Sequence, residues 1–332
     1  MNSDIQVFQG SRMTHRIQLV LVSVMALAAT LPFWGESSWM REVVEISCYL
    51  IYAIMWNLMA GYGGMVSIGQ QAFFGLGGYA LLVMGNHFGL NPFLAVPLAA
   101  LISGVFAIPM SWLAFRLQGG YFAIGTWVIA EVVRLTVANI PQLGGGSGTS
   151  LTSLRGIDKM TRESMTYWMA LGCLMLSIVL VYAFLRSKRG LALLAIRDNE
   201  VAAESQGIAV HRMKLAVYMV SAVGAGLAGG LYFLSNLRIS PDAAFSVNWT
   251  AFAIFMVVIG GIGRVEGPIV GALVFWALNK LFSDYGSWYL LGLGLLAIVM
   301  TLQFKQGIWG AVQQKWNWAL FPTSRKILHS KR

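Results

Sequence analysis

Charge is what this chain has least of. Only 11% of its 332 residues are Asp, Glu, Lys or Arg, against about 25% in an ordinary soluble domain, which excludes a water-soluble globular fold. Cysteine is nearly absent: Cys48 and Cys173 lie in separate apolar runs, so no disulfide framework is expected. The four histidines, His15, His87, His211 and His329, fit no ligand spacing, and no metal is expected. No GxxxxGK[ST] phosphate loop occurs. The nearest glycine-rich stretch, Gly144-Gly145-Gly146-Ser147-Gly148, lacks a following Lys and reads as a flexible link. The apolar segments also hold no paired nucleophile and base, which leaves an intramembrane enzyme without its machinery.

What is present is 57% hydrophobic sequence in continuous runs. These are longer than the roughly 10-residue alternating segments of an outer-membrane barrel, so the spans are expected to be helices that satisfy their own backbone hydrogen bonds. Ten ranges qualify: 17–34, 43–60, 69–86, 93–115, 121–139, 166–185, 213–235, 249–262, 267–280 and 287–304. The predicted fold is all-α, a polytopic bundle of about ten transmembrane helices, some of them broken. The first range follows Arg12 and Arg16 and passes Ala26-Leu27-Ala28, features shared with a cleaved leader, but it continues through Phe33 and reads as a span.

The net charge of +10 is read as loop bias rather than a nucleic-acid surface. With ten spans, most of the 23 Lys and Arg residues share one side, including Arg186, Lys188, Arg189, Arg197, Arg212, Lys214, Arg264 and the tail residues Lys305, Lys315, Arg325, Lys326, Lys331 and Arg332. The positive-inside tendency then places both termini in the cytoplasm. The organisation read from this is a cytoplasmic segment over 1–16, a membrane domain over 17–304 with a cytoplasmic loop at 187–212, and a cytoplasmic tail over 305–332. Trp309, Trp316, Trp318 and Lys315 suggest a tail lying on the membrane surface; a frayed terminus is the equal alternative. Trp34, Trp39, Tyr167, Trp168, Trp249, Trp288 and Tyr289 fall at the opposite boundary, as an aromatic belt would.

Within the apolar sequence, Gly61, Gly64, Ser67, Gln70 and Gln71 interrupt two runs with glycines and amides and no charge, the pattern of a helix broken at membrane depth beside a cavity. They are candidate pathway or gating residues. Glu131 and Arg134, three apart on one helix face, are expected to face the bundle; they read either as a structural ion pair, or as a contact for the charged ends of a zwitterionic substrate or a gate. Gly226 with Gly230, and Gly263, Gly267 and Gly271, have the GxxxG spacing of close helix packing.

Four blocks carry a family resemblance: NLMAGYGGMVSIGQQAFFGLGGYA at 57–80, RLQGGYFAIGTWVIAEVVRL at 116–135, RGLALLAIRDNEVAAESQGIAVHRMKLAVYMVSAVGAGLAGGLY at 189–232, and VIGGIGRVEGPIVGA at 258–272. Together they resemble the LivM-type permease subunits of branched-chain amino acid ABC transporters. The resemblance implies that Arg197, Asp198, Glu200, Ala202, Ala203 and Gly207 belong to an EAA-type coupling helix docked on an ATPase. In the physical reading, Asp198 and Glu200 complement the helix dipole, Ala202 and Ala203 form a low docking face, and Gly207 ends the helix. It further implies a second homologous permease subunit, two ATP-binding subunits that hold the ATP and Mg, an external solute-binding protein, and the inner membrane of a bacterial cell. Neither cofactor would be bound by this chain. Leucine, isoleucine and valine are the implied cargo, with urea and short amides as the alternative; an ion-coupled secondary transporter is the rival without an ATPase. One departure is Gly69-Gln70-Gln71, where many members have Gly-His: Gln70 offers hydrogen bonds but does not titrate near neutral pH.

Overall fold

The structure, a computed structural model, describes residues 5–8, 23–282, 286–304, 306–316, 321 and 326–329. Its helices in chain order are α1 (Ser23–Phe33), α2 (Ser37–Asn57), α3 (Gln71–Leu82), α4 (Pro92–Ala114), α5 (Gly120–Ala138), α6 (Lys159–Arg186), α7 (Lys188–Asp198), α8 (Glu200–Ser205), α9 (Val210–Asn236), α10 (Pro241–Ala244), α11 (Val247–Gly260), α12 (Glu266–Phe282), α13 (Ser287–Gln303) and α14 (Gly307–Trp316). Single π-helical turns, Leu58–Tyr62 and Val83–His87, prolong α2 and α3. Among the described residues seven helical stretches are long and apolar enough to cross a membrane, and each of the ten expected ranges overlaps a helix. This is an integral, multi-pass membrane protein.

Polar side chains start the helices where the sequence offers them. Asn91, Asp158, Ser187, Asn199, Ser240 and Ser246 each accept a hydrogen bond from a backbone N–H of the first turn of α4, α6, α7, α8, α10 and α11. Helix α9 forms the centre, packed along α3 and α4 and crossing α2; α2 in turn packs on α6 and on the α11–α12 pair. The apolar windows of α2 and α9 are 78% and 72% buried, whereas that of α5 is only 28% buried and presents its face outward. Lipid is as apolar as leucine, so these contacts rest on close fit rather than on exclusion of water.

Glycine provides that fit, at positions that partly differ from the expected ones. A β-carbon on Gly77 would strike the Gly226 carbonyl, one on Gly229 the Phe74 carbonyl, and one on Gly271 the Met256 carbonyl. Gly226, Gly267 and Gly271 therefore sit at tight crossings. Gly230 does not: its nearest neighbour, Val96, would lie 3.5 Å from an added β-carbon, an ordinary contact. Gly263 lies outside the helices, in a turn with φ of +72°.

Several boundary readings are corrected by packing. Tyr167 and Trp249 are buried, not belt residues: Tyr167 donates to the Ala28 carbonyl at 2.5 Å, and Trp249 donates to Ala243 at 2.8 Å while stacking on Phe74. Trp34, Trp39, Trp168 and Trp288 are exposed, and the side chain of Tyr289 lies outside the described residues. Trp309 is buried, and α14 packs on α11 and α12. Residues 9–22, with Arg12 and Arg16, and also Lys305, Trp318, Arg325, Lys331, Arg332 and the Trp316 side chain, lie outside the described residues. The Gly144–Gly148 link is folded into short 3-10 turns, and Gly148 closes on Ile239 where Thr149–Ser150 pairs with Arg238–Ile239. A second two-stranded ribbon pairs Ile5–Phe8 with Lys326–His329.

Substituting Gly77→Val is expected to lower stability by about 1–3 kcal/mol through overpacking, read as a lower melting temperature in mild detergent. Gly172→Val, where nothing lies within 4 Å of an added β-carbon, is expected to leave the melt unchanged.

Candidate functional site

The loop at 187–212 folds into two helices rather than one. In α7, Leu193 and Ile196 are buried against the bundle, while Leu191 is exposed. Helix α8 projects next and is closed at both ends by its own sequence. Asn199 caps its start by accepting from the Ala202 N–H at 3.0 Å. Its end is a Schellman turn: Gly207, at φ of +82°, donates to the Glu204 carbonyl and Ile208 to that of Ala203. Gly207 therefore stands where a helix stop requires left-handed backbone.

The side chains divide the coupling set. Ala202 is exposed, but Ala203 is buried at 2% exposure, so the expected two-alanine docking face is corrected to one alanine; helical spacing turns its neighbour toward the bundle. Val201, 78% exposed beside it, is the apolar residue that the sequence reading missed, and its signal was an aliphatic residue in an otherwise polar stretch. Glu200 pairs with Lys214 of α9, which ties α8 back to the bundle. Asp198 ends α7 and is held by Arg197 at 2.9 Å, rather than opening α8.

Arg197 also reaches inward. Its Nη1 donates to the Gly61 carbonyl at 3.1 Å, in the π-helical turn that prolongs α2. Four residues earlier, Asn57 is buried inside an apolar helix and spends both ends of its carboxamide on the turn between α11 and α12: Nδ2 donates to the Arg264 carbonyl at 2.8 Å, and Oδ1 accepts from the Gly263 N–H at 2.9 Å. No single-function side chain could satisfy both groups. Arg264 in turn donates to the Gln306 carbonyl and Oε1 at 2.9 and 3.0 Å, joining the approach to α14. One arginine therefore links the projecting hairpin to a knot where α2, the α11–α12 turn and the chain before α14 meet. Asn57 was legible as a lone amide in an apolar span.

The broken segment continues from this knot into the bundle. Gly64, at φ of +70°, packs beside Arg197. Ser67 is buried, its hydroxyl accepting from the Gly69 N–H and its carbonyl accepting from Trp56 at 2.8 Å. Gly69 approaches the Thr126 backbone of α5 too closely for any side chain. Gln70 donates to the Ser221 carbonyl of α9 at 3.3 Å. Gln71 accepts from Thr250 at 2.6 Å; since that uses the only hydroxyl proton of Thr250, Tyr52, 2.9 Å away, must donate to it. Gln70 and Gln71 are at most 1% exposed, so in this conformation they stitch α3 to α2, α9 and α11 rather than line an open cavity.

Glu131 and Arg134 occupy the last two turns of α5. Arg134 donates to Glu131 at 2.6 Å and, at 2.5 Å, to Asp242 of α10, a partner not foreseen. The Glu131 side chain is 46% exposed, which corrects the expectation that it faces the bundle interior. Among the described residues no group of His, Cys, Asp and Glu is arranged to hold a metal ion.

Comparison with known proteins identifies the architecture. Residues 41–304 match the model of the family described as the permease component of branched-chain amino acid transport systems. The chain is 27% identical over 321 residues to the high-affinity branched-chain amino acid transport system permease protein LivM of Salmonella typhimurium, covering 89% of this chain and 75% of that one. It is 26% identical over 277 residues to the probable LivM of Methanocaldococcus jannaschii, covering 71% and 79%. It is also 28% identical over 232 residues to the fructose import permease protein FruG of Bifidobacterium longum, covering 64% and 67%. No solved structure matches. The chain belongs to this permease family.

Because Arg134 holds two carboxylates, Glu131→Gln is expected to cost no more than about 1 kcal/mol, Asp242 retaining the guanidinium. Arg134→Met, which strands both acids, is expected to cost more. Melts of the single variants and of the Glu131→Gln, Arg134→Met double variant check this, the double falling short of the sum of the singles.

Proposed function

We propose, with family membership as the premise, that this chain is a membrane subunit of an ATP-driven ABC importer, forming half of a translocation pathway with a second homologous permease. Two ATPase subunits that hold ATP and Mg would dock on α8, and an external solute-binding protein would deliver the cargo. The observation that carries this reading is the Arg197 bridge. A projecting helix with an exposed valine and alanine suits docking, and the residue just before it in the fold grips the backbone of a broken membrane helix. Displacement of α7 and α8 would then act on the carbonyl of Gly61 and, through Asn57, on the α11–α12 turn.

A π-helical turn suits this role because such turns gather at functional sites. Switching between outward-open and inward-open states then needs only that ATPase docking favours one arrangement of the knot over the other. Branched-chain amino acids are the cargo that the LivM-named relatives favour. Glu131, Arg134 and Asp242 are placed in this reading as a structural clasp between α5 and α10.

Val201→Asp is expected to abolish co-purification of the ATPases in mild detergent. Arg197→Met is expected to leave that assembly intact while lowering ATP-driven leucine uptake in proteoliposomes at least tenfold. Assembly and uptake unaffected by both changes would overturn the coupling role.

A further inference from the structure

At the end of the bundle away from α7 and α8, residues of α2 and α12 line a cavity of about 220 Å³. Glu45 lies sixteen residues before Gly61 on α2, a distance of about 24 Å along a helix, so cavity and knot are at opposite ends of the same element. The volume is below the roughly 300–1,000 Å³ of sites for drug-sized ligands and suits a small solute. We propose that this cavity binds a zwitterionic amino acid with an apolar side chain, Glu45 receiving the ammonium group and Lys280 the carboxylate.

The groups around it differ in how far they are already satisfied. Lys280 of α12 donates to both carboxylate oxygens of Glu42, at 3.2 and 3.0 Å, and stands over the Trp276 ring. The ammonium of Lys280 has a third proton, and Lys280 is 58% exposed, so it can turn to a second carboxylate. Glu45, one helical turn below Glu42, accepts a hydrogen bond from the Tyr49 hydroxyl at 3.1 Å and, among the described residues, has no cation within ion-pair distance. A carboxylate inside an apolar bundle without a cation is costly, and an arriving ammonium group relieves that cost. Between the two charged groups, Phe275 and Trp276 provide the apolar wall. Helix dipoles alone would favour acids at the start of α2 and a lysine at the end of α12, but they give no reason for a cavity between them or for an acid left without a cation.

This inference rests on the proposed transport function, naming its substrate class at one site. It is tested without ATP, on the assembled complex in nanodiscs, in a Cys48→Ala, Cys173→Ala background carrying Ile46→Cys, a position that lines the cavity. Labelling of that cysteine by a water-soluble maleimide is expected to slow about tenfold when leucine is present at about ten times its Kd. Equal concentrations of 3-methylbutylamine, which lacks the carboxylate, or 4-methylpentanoate, which lacks the ammonium, are expected to change it less than twofold. Glu45→Gln and, separately, Lys280→Met are expected to remove the protection; the exposed Lys280 carries the test if the Glu45 variant does not assemble. No labelling at all, no protection by leucine, equal protection by the amine or the acid, or protection that survives Lys280→Met would overturn the proposal. ATP-driven uptake by the same preparation reports separately on the transport function, so the two failures are distinguishable.

Discussion

A helix that stops inside a bilayer leaves backbone donors and acceptors that lipid cannot satisfy, each at a cost of several kcal/mol. This chain interrupts two apolar helices, α2 after its π-helical turn and α11 before α12, and side chains take up groups left at each break: Arg197 donates to the Gly61 carbonyl, and Asn57 serves the α11–α12 turn. Asn57 donates to one carbonyl and accepts from one N–H of the α11–α12 turn, so α2 carries the hydrogen bonds that this turn needs. The consequence is mechanical as well as energetic: the end of α2 and the α11–α12 turn are tied to each other by two hydrogen bonds.

The surrounding glycine crossings make that arrangement possible. Where Gly77 meets Gly226 and Gly271 meets Met256, backbones approach so closely that a methyl group could not fit, and the helices gain dispersion contacts that lipid could not match. Helices α3, α4 and α9 are thereby held together by direct backbone contact. Gln70 and Gln71 extend the same logic, using side-chain amides where α3 begins without a preceding helical turn.

The bundle and its helical class were legible in composition and run length, because lipid imposes one solution on a long apolar run. The division within those runs was less legible. Gly226 and Gly230 share a motif, yet only the first lies at a tight contact, since spacing gives the face of a helix and not the distance of its neighbour. Tyr167 and Trp249 looked like interface anchors because both stand at the ends of apolar runs, but each reaches a backbone carbonyl inside the protein. Arg197 was found through its neighbours in the coupling segment; its bond to Gly61 joins residues 136 apart and is invisible to local pattern. Asn57 and Glu45 could have been singled out, as polar groups in apolar surroundings whose burial demands a partner.

The positions of these two residues on α2 have a further implication. Asn57 ties one end of the helix to the chain before α12, and the cavity beside Glu45 opens between the same two helices at the other end. At that end the Glu42–Lys280 ion pair joins the same two helices, so α2 and α12 are clasped on both sides of their contact. Gly271 holds α12 on α11, so a change in the spacing of Glu42, Glu45 and Lys280 would fall to α2. The proposed recognition chemistry and the proposed coupling route would then occupy opposite ends of one helix pair. The acids and the lysine stand at the far ends of α2 and α12, and the knot itself is built from amides, glycines and two arginines, Arg197 and Arg264.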